Sequence, residues 1–175
     1  MADVQEAGPL TGFNFTDAVW RAIFGGEPAI VGDTNGTAYD LTLPPASDSV
    51  EVGSASIESK AVVGGFGHAI PAGTTQSLVI PASSNAVAGR TDLITVRLNT
   101  SSYTTEPGPV RLYRIPGTEG STAWPSYDDG PPGVEDMPLY AITRVQGEAL
   151  TQAGVVDLRV RSGPHLYAEP DVSPL

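Results

Sequence analysis

The chain predicts a mainly β protein, an antiparallel β-sandwich or open barrel with one short N-terminal helix and an extended C-terminal arm. Three observations point there. Short runs rich in Val, Ile, Leu, Thr and Tyr recur along most of the 175 residues, each closed by a Gly or Pro turn signal. Twenty Gly and 16 Pro accompany a charged fraction of only 17%, which suits ordered turns better than a disordered, charge-rich chain. Helical spacing of apolar residues appears convincingly once, near the start. The expected organisation is an arm and docking helix over 1–26, a β domain over 27–161 and a C-terminal arm over 162–175.

The helix is predicted in FNFTDAVWRAIFGGEP, residues 13–28. Thr16 is placed to cap it and Asp17 suits its first turn. Val19, Trp20, Ile23 and Phe24 share one face, and Gly25-Gly26 before Pro28 ends it. So short a helix must dock on something, and Trp20 and Phe24 are its candidate interface residues. Next, TNG at 34–36 signals a tight turn before TAYDLTL, 37–43. SASIESKAVV, 54–63, alternates Ala55, Ile57, Ser59 and Ala61 against Ser54, Ser56, Glu58 and Lys60, as a half-exposed strand should. SLVIPA (77–82), DLITVRL (92–98), PVRLYRI (109–115), MPLYAITRV (137–145) and VVDLRVR (155–161) continue the series. Two stretches break the pattern. TEGSTAWPSYDDGPPGVED, 118–136, reads as a long Pro/Gly/Asp loop, and loops of that length usually carry function or lie on a partner. SGPHLYAEPDVSPL, 162–175, has no periodicity and reads as an arm. Trp124 and Tyr127 in the loop, and His165, Leu166 and Tyr167 in the arm, complete the candidate interface; self-packing is the alternative for each.

Composition narrows the chemistry. The absence of cysteine excludes disulfides, Cys-ligated zinc and thiol catalysis. A net charge of −11 and a pI near 4.3 argue against tracking along nucleic acid, where cation contacts drive affinity. No apolar run reaches the length of a membrane span, and the N-terminus lacks the pattern of a secretory signal; the expectation is a protein made in a cytoplasm, with no membrane insertion, cofactor or metal. No G-x-S-x-G elbow or phosphate-binding loop occurs. His68 and His165 each stand alone beside turn residues, and His68 reads as a loop histidine bonded locally. Asp128-Asp129 and Glu135-Asp136, near Trp124 and Tyr127, form the cluster most like the paired carboxylates of a glycosidase; a solvated acidic loop is the plainer reading.

The scarce arginines raise a sharper question, because GRTDLITVRLNT (89–100) and GVVDLRVR (154–161) both place Arg and Asp two residues apart. Strand parity puts Arg90 and Asp92 on the face of Ile94, Val96 and Leu98, at its rim, where a partly buried charge needs a partner. Asp157 and Arg159 likewise share a face. If the two strands are neighbours, Arg90 pairs with Asp157 and Asp92 with Arg159, as ion pairs that fix register more than they add stability. On this reading the four are structural, not catalytic.

The order SVEVGSASIESKAVV, LVIPASS, GRTDLITVRLN, VRLYRIPGTEG, MPLYAITRVQGEALTQAG and VVDLRVR resembles the tail-tip, baseplate or fibre-attachment (minor tail) proteins of long-tailed bacteriophages, particularly those infecting actinobacteria. The likeness rests on Val52-Gly53-Ser54-Ala55 at a strand end, the Arg90–Leu98 strand, the Pro116-Gly117-Thr118 turn, a P-L-x-x-I strand and a closing D-x-R. It runs from about Phe13 to Arg161. It implies a structural virion protein at the tail tip, assembled in the host cytoplasm, often as a trimer, in contact with other tail proteins and without catalytic residues. Such a chain would act as an adaptor between the tail and its fibres. Two alternatives stay open: a module that binds or cleaves a host-surface glycan through 118–136, and the matching part of a phage-derived injection machine.

Overall fold

The computed structural model describes residues 28–33, 35–102, 108–128 and 133–161. The predicted helix with Trp20 and Phe24, and the arm with His165, Leu166 and Tyr167, lie outside the described residues. The described residues form ten strands: β1 (Ala29–Val31), β2 (Asp40–Thr42), β3 (Ser49–Ser54), β4 (Ser59–Val63), β5 (Phe66–Ile70), β6 (Thr74–Val79), β7 (Arg90–Asn99), β8 (Val110–Ile115), β9 (Val134–Arg144) and β10 (Gly154–Asp157). They form three antiparallel sheets, ordered β1-β4-β5, β2-β3-β6 and β10-β9-β7-β8, which do not close into a barrel. Strand β4 packs across β7 and β9, while β5 and β6 meet β8. Val50, Val52, Ala61, Val63, Ile70, Ile94, Val96 and Leu98 join one continuous core with β9. Among the described residues no helix is long and apolar enough to cross a membrane.

Strand β7 keeps its alternation from end to end, with Ile94, Val96 and Leu98 in the core. Its neighbour β9 does not. Register passes from Ile94↔Tyr140 to Thr95↔Pro138, so Leu139 is an extra residue and the inward parity switches there. Met137 and Leu139 point to the core before the bulge, Tyr140 and Ile142 after it. Pro138, which has no N–H to donate, stands at this bulge and outside the β10 ladder, which pairs only with Tyr140–Thr143.

Three expected elements differ. Residues 54–63 are not one strand: Ser54 ends β3, Ser59 begins β4, and the chain turns between them. The Ser54 hydroxyl accepts from the Ser56 and Ile57 amides, at 3.4 Å each, which bends the backbone out of the extended form. The alternation read there was that of a turn. Residues 37–43 shorten to β2 because Tyr39 takes a left-handed φ of 57°. Residues 155–161 are strand only through Asp157. The chain then crosses from one sheet to another: the Leu158 amide donates to the Leu139 carbonyl at 2.9 Å, the Ile30 amide donates to the Val160 carbonyl at 2.8 Å, and Arg161 bridges to Ile30. The closing segment therefore ties the β10 edge to the β1 edge.

Candidate functional site

The two Arg–Asp signatures occupy two different corners, and neither pairs with the other. Strands β7 and β10 lie on opposite sides of β9, so Arg90 does not reach Asp157 and Asp92 does not reach Arg159. Each arginine instead grips the aspartate of its own segment. A shared neighbour strand keeps the two signatures apart, which parity alone cannot reveal.

At the first corner Asp92 is 1% exposed and is fully occupied. It accepts from Arg90 Nε at 2.8 Å and Nη2 at 3.1 Å, from the Gly117 amide at 2.9 Å, and faces Arg114 Nε at 3.5 Å. Gly117 must be glycine here, since a Cβ would be driven into the Thr91 carbonyl. Arg90 also pairs with Glu119, whose other oxygen accepts from the Ser83 hydroxyl and the Ser84 amide. Burial works against the charge on Arg90, but Asp92 and then Glu119 hold its pKa above the usual arginine value. Three arginines from three strands bond three successive carbonyls: Arg114 to Val79 at 3.2 Å, Arg144 to Ile80, and Arg90 to Pro81 at 2.8 Å. They fasten the segment leaving β6 across the end of the neighbouring sheet. Among the buried side-chain atoms of the described residues, Arg144 Nε has no hydrogen-bond partner; its Nη2 holds Asp48 at 2.9 Å, in the wall of a shallow cleft of about 340 Å³.

At the second corner Arg159 donates to the Ala38 carbonyl at 2.7 Å and to Asp40 at 2.8 Å. Its Nη2 meets Asp157 at 2.8 Å, and its guanidinium lies 5.2 Å from the Tyr140 ring. Arg161 repeats the tie to Asp33, at 2.9 Å. The Arg159 bond draws the Asp157 carboxyl below its ordinary value. Below the crossing, Tyr140 donates to the Tyr39 carbonyl at 2.9 Å, and the Tyr39 hydroxyl meets His68 Nδ1 at 2.9 Å. His68 is therefore not a loop histidine. It stands on β5, 9% exposed, in a buried aromatic stack with Tyr39.

Burial lowers the His68 pKa. The unfolded chain then takes up a proton below about pH 6.5 that the folded chain resists, so stability is full above that pH and falls as pH drops. Asp157 and Asp33 sit below the usual aspartate value of 3.8; their contribution is present above that value and is lost as pH falls through the lowered one. Urea midpoints should decline from pH 7.5 to pH 5, and again below about pH 4. His68→Gln should remove the first decline and keep the second; an unchanged first decline assigns it to other groups.

The outer face of β7 and β9 carries residues 122–128. The Thr91 hydroxyl contacts the Thr122 carbonyl at 3.1 Å and Thr143 Oγ1 at 2.7 Å. Farther on, the Asp136 amide donates to the Asp128 carbonyl at 2.6 Å. The segment thus spans the face from one end to the other, leaving Trp124 52% and Tyr127 44% exposed. Glu135 and Asp136 are not solvated loop residues: both are buried in β9. Arg97 Nε and Nη2 grip Asp136 at 2.7 Å each, and Thr95 Oγ1 and the Asp128 amide fill its remaining sites at 3.0 and 3.2 Å. Arg97 in turn lies 4.0 Å over the Tyr113 ring. An Asp so enclosed has no lone pair left for substrate, so Asp128 and Asp136 do not form a glycosidase pair as they stand.

Among the described residues no three His, Asp or Glu side chains converge as metal ligands would. The residues missed by sequence reasoning are Arg97, Arg111, Tyr113, Arg114 and Arg144. Cross-strand register unites the first three, and nothing along the chain signals it. Compared with protein-family models, curated proteins and solved structures, the chain matches none.

Proposed function

We propose that the protein is a structural component of a bacteriophage tail tip or baseplate. In this reading it is a β-sandwich unit that assembles as a homotrimer and links the tail to its fibres or host-recognition parts. One observation carries the assembly role: the edge strand β10 and its continuation expose Val155, Val156 and Val160 by 41%, 47% and 55%. An edge with open hydrogen-bonding groups and an apolar surface is a ready template for another chain, and single-chain proteins usually blunt such edges with Lys or Pro. Neither residue occurs in β10, GVVD. The arginine ties at both corners support the same reading, because they engage charged groups in holding segments to sheets. The phage assignment itself rests on the resemblance of the strand order described above.

Native mass spectrometry should show a multiple of the 18.1 kDa chain mass, with three copies dominant. Val156→Lys should shift the population to monomer while circular dichroism stays unchanged. A wild-type monomer at high micromolar concentration sinks the self-assembly part. Antibodies to the protein should decorate one end of the tails of particles from cells that carry the gene; labelling elsewhere, or none, sinks the tail assignment.

A further inference from the structure

We propose that the outer face of β7, β8 and β9 binds an acidic saccharide, Arg111 taking its carboxylate and Trp124 and Tyr127 its ring faces. The starting point is a charge anomaly. In a chain of net charge −11, every other described lysine or arginine holds an ion pair. Arg111 alone among them holds none with a described residue, and its guanidinium lies 5.9 Å from the Tyr113 ring. Acidic partners are abundant, so leaving one cation unmatched is not a matter of supply.

Its position adds a second anomaly. Arg111 stands directly opposite Arg97 in the ladder, and like charges facing each other destabilise a sheet. Asp136 satisfies Arg97 with two bonds, but Asp136 lies on β9, on the far side of β7 from β8. Asp128 is on that far side too, next to Asp136. The charges therefore run across the face as carboxylate, guanidinium, guanidinium, with the outermost unmatched among the described residues. A carboxylate above β8 would make a charge-assisted, planar bond with Arg111 and relieve the repulsion from Arg97.

The segment fastened over β7 and β9 on the same outer face indicates what carries that carboxylate. Trp124 and Tyr127 are half-exposed on a segment whose ends are fastened at Thr91 and Asp136. Pro125 between them further limits the backbone. Exposed rings on a fastened segment match a ligand with apolar faces and polar edges, which is the form of a pyranose ring. An acidic peptide offers the carboxylate without those flat faces. The negative field of the whole protein is screened within roughly 8 Å at physiological ionic strength, so contact is governed by the local pair of arginines. Arg111 and Trp124 lie outside β10, so this test is separate from the Val156→Lys test of assembly.

The test titrates the full-length protein with trigalacturonate and with sialyllactose, following tryptophan fluorescence and calorimetry, against a neutral galactose trimer and triglutamate. At least one acidic saccharide should bind, with the neutral trimer and the peptide about tenfold weaker or more. Arg111→Gln removes a like-charge contact and should leave circular dichroism unchanged while weakening the acidic saccharide by about tenfold. Trp124→Ala should weaken it comparably. The proposal is overturned if neither acidic saccharide binds below about 10 mM, if the neutral trimer or triglutamate binds as well, or if Arg111→Gln leaves affinity unchanged. Should that variant fail to fold, the acidic-against-neutral comparison on the wild-type chain decides.

Discussion

Asp92→Ala should cost about 3 kcal/mol of folding stability, because it removes one partner of a buried ion pair and leaves the other behind. Asp92 is 1% exposed and is met by Arg90, Arg114 and the Gly117 amide. Without it, Arg90 keeps Glu119 and the Pro81 carbonyl, but the Gly117 amide loses its acceptor. The turn over the Thr91 carbonyl, which tolerates no side chain, then loses its anchor. For a chain of this size the loss corresponds to a melting temperature lower by about 6–12 °C, readable by differential scanning calorimetry. Lys60→Ala is the matched control, because both Lys60 and its partner Glu58 are about half exposed, at 53% and 43%; it should cost roughly 0–1 kcal/mol. Equal losses in the two variants would show that burial does not set the strength of these ties.

Asp136→Ala should be about as severe, near 3 kcal/mol, for a different reason. Its carboxylate is wholly enclosed and joins four donors from β7 and the 118–128 segment. Removal strands the Arg97 guanidinium, and it frees the Asp128 end of the segment that lies over the sheet. Hydrogen exchange should therefore rise at Asp128 and its neighbours more than in β3 or β4. Replacing both partners with apolar residues of similar size, as in Arg97→Met with Asp136→Leu, should recover much of the loss, because no buried charge is then unpaired. A double variant as unstable as the sum of the single changes would mean that Arg97 and Asp136 act independently, contrary to their geometry.

How far the chain was legible varies from one residue to the next, and the differences have causes. Strand β7 was read nearly to its ends because Asp92, Ile94, Val96 and Leu98 keep one parity throughout, and its other face is covered too, with Thr91, Leu93 and Thr95 buried. Segment 54–63 shows the same two-residue pattern, yet the Ser54 hydroxyl, a local competitor for backbone amides, turns it. Glu135 and Asp136 looked like part of an acidic loop because their neighbours are Asp, Gly and Pro. Asp136 is buried because Arg97, distant in sequence, supplies the opposite charge across the ladder. The parity change in β9 was equally hidden, since the extra residue is defined only by the register against β7.

The mainly β character, the turn positions and the rim placement of Arg90 and Asp92 are written in local sequence, because alternation and turn chemistry act over two to four residues. Which carboxylate each arginine holds depends on which strands lie side by side. That is decided by contacts between residues tens of positions apart, for which neighbouring side chains along the chain carry no information. The interposed strand β9 keeps Arg90 from Asp157, and the β7–β8 ladder sets Arg111 against Arg97 without an ion-pair partner among the described residues.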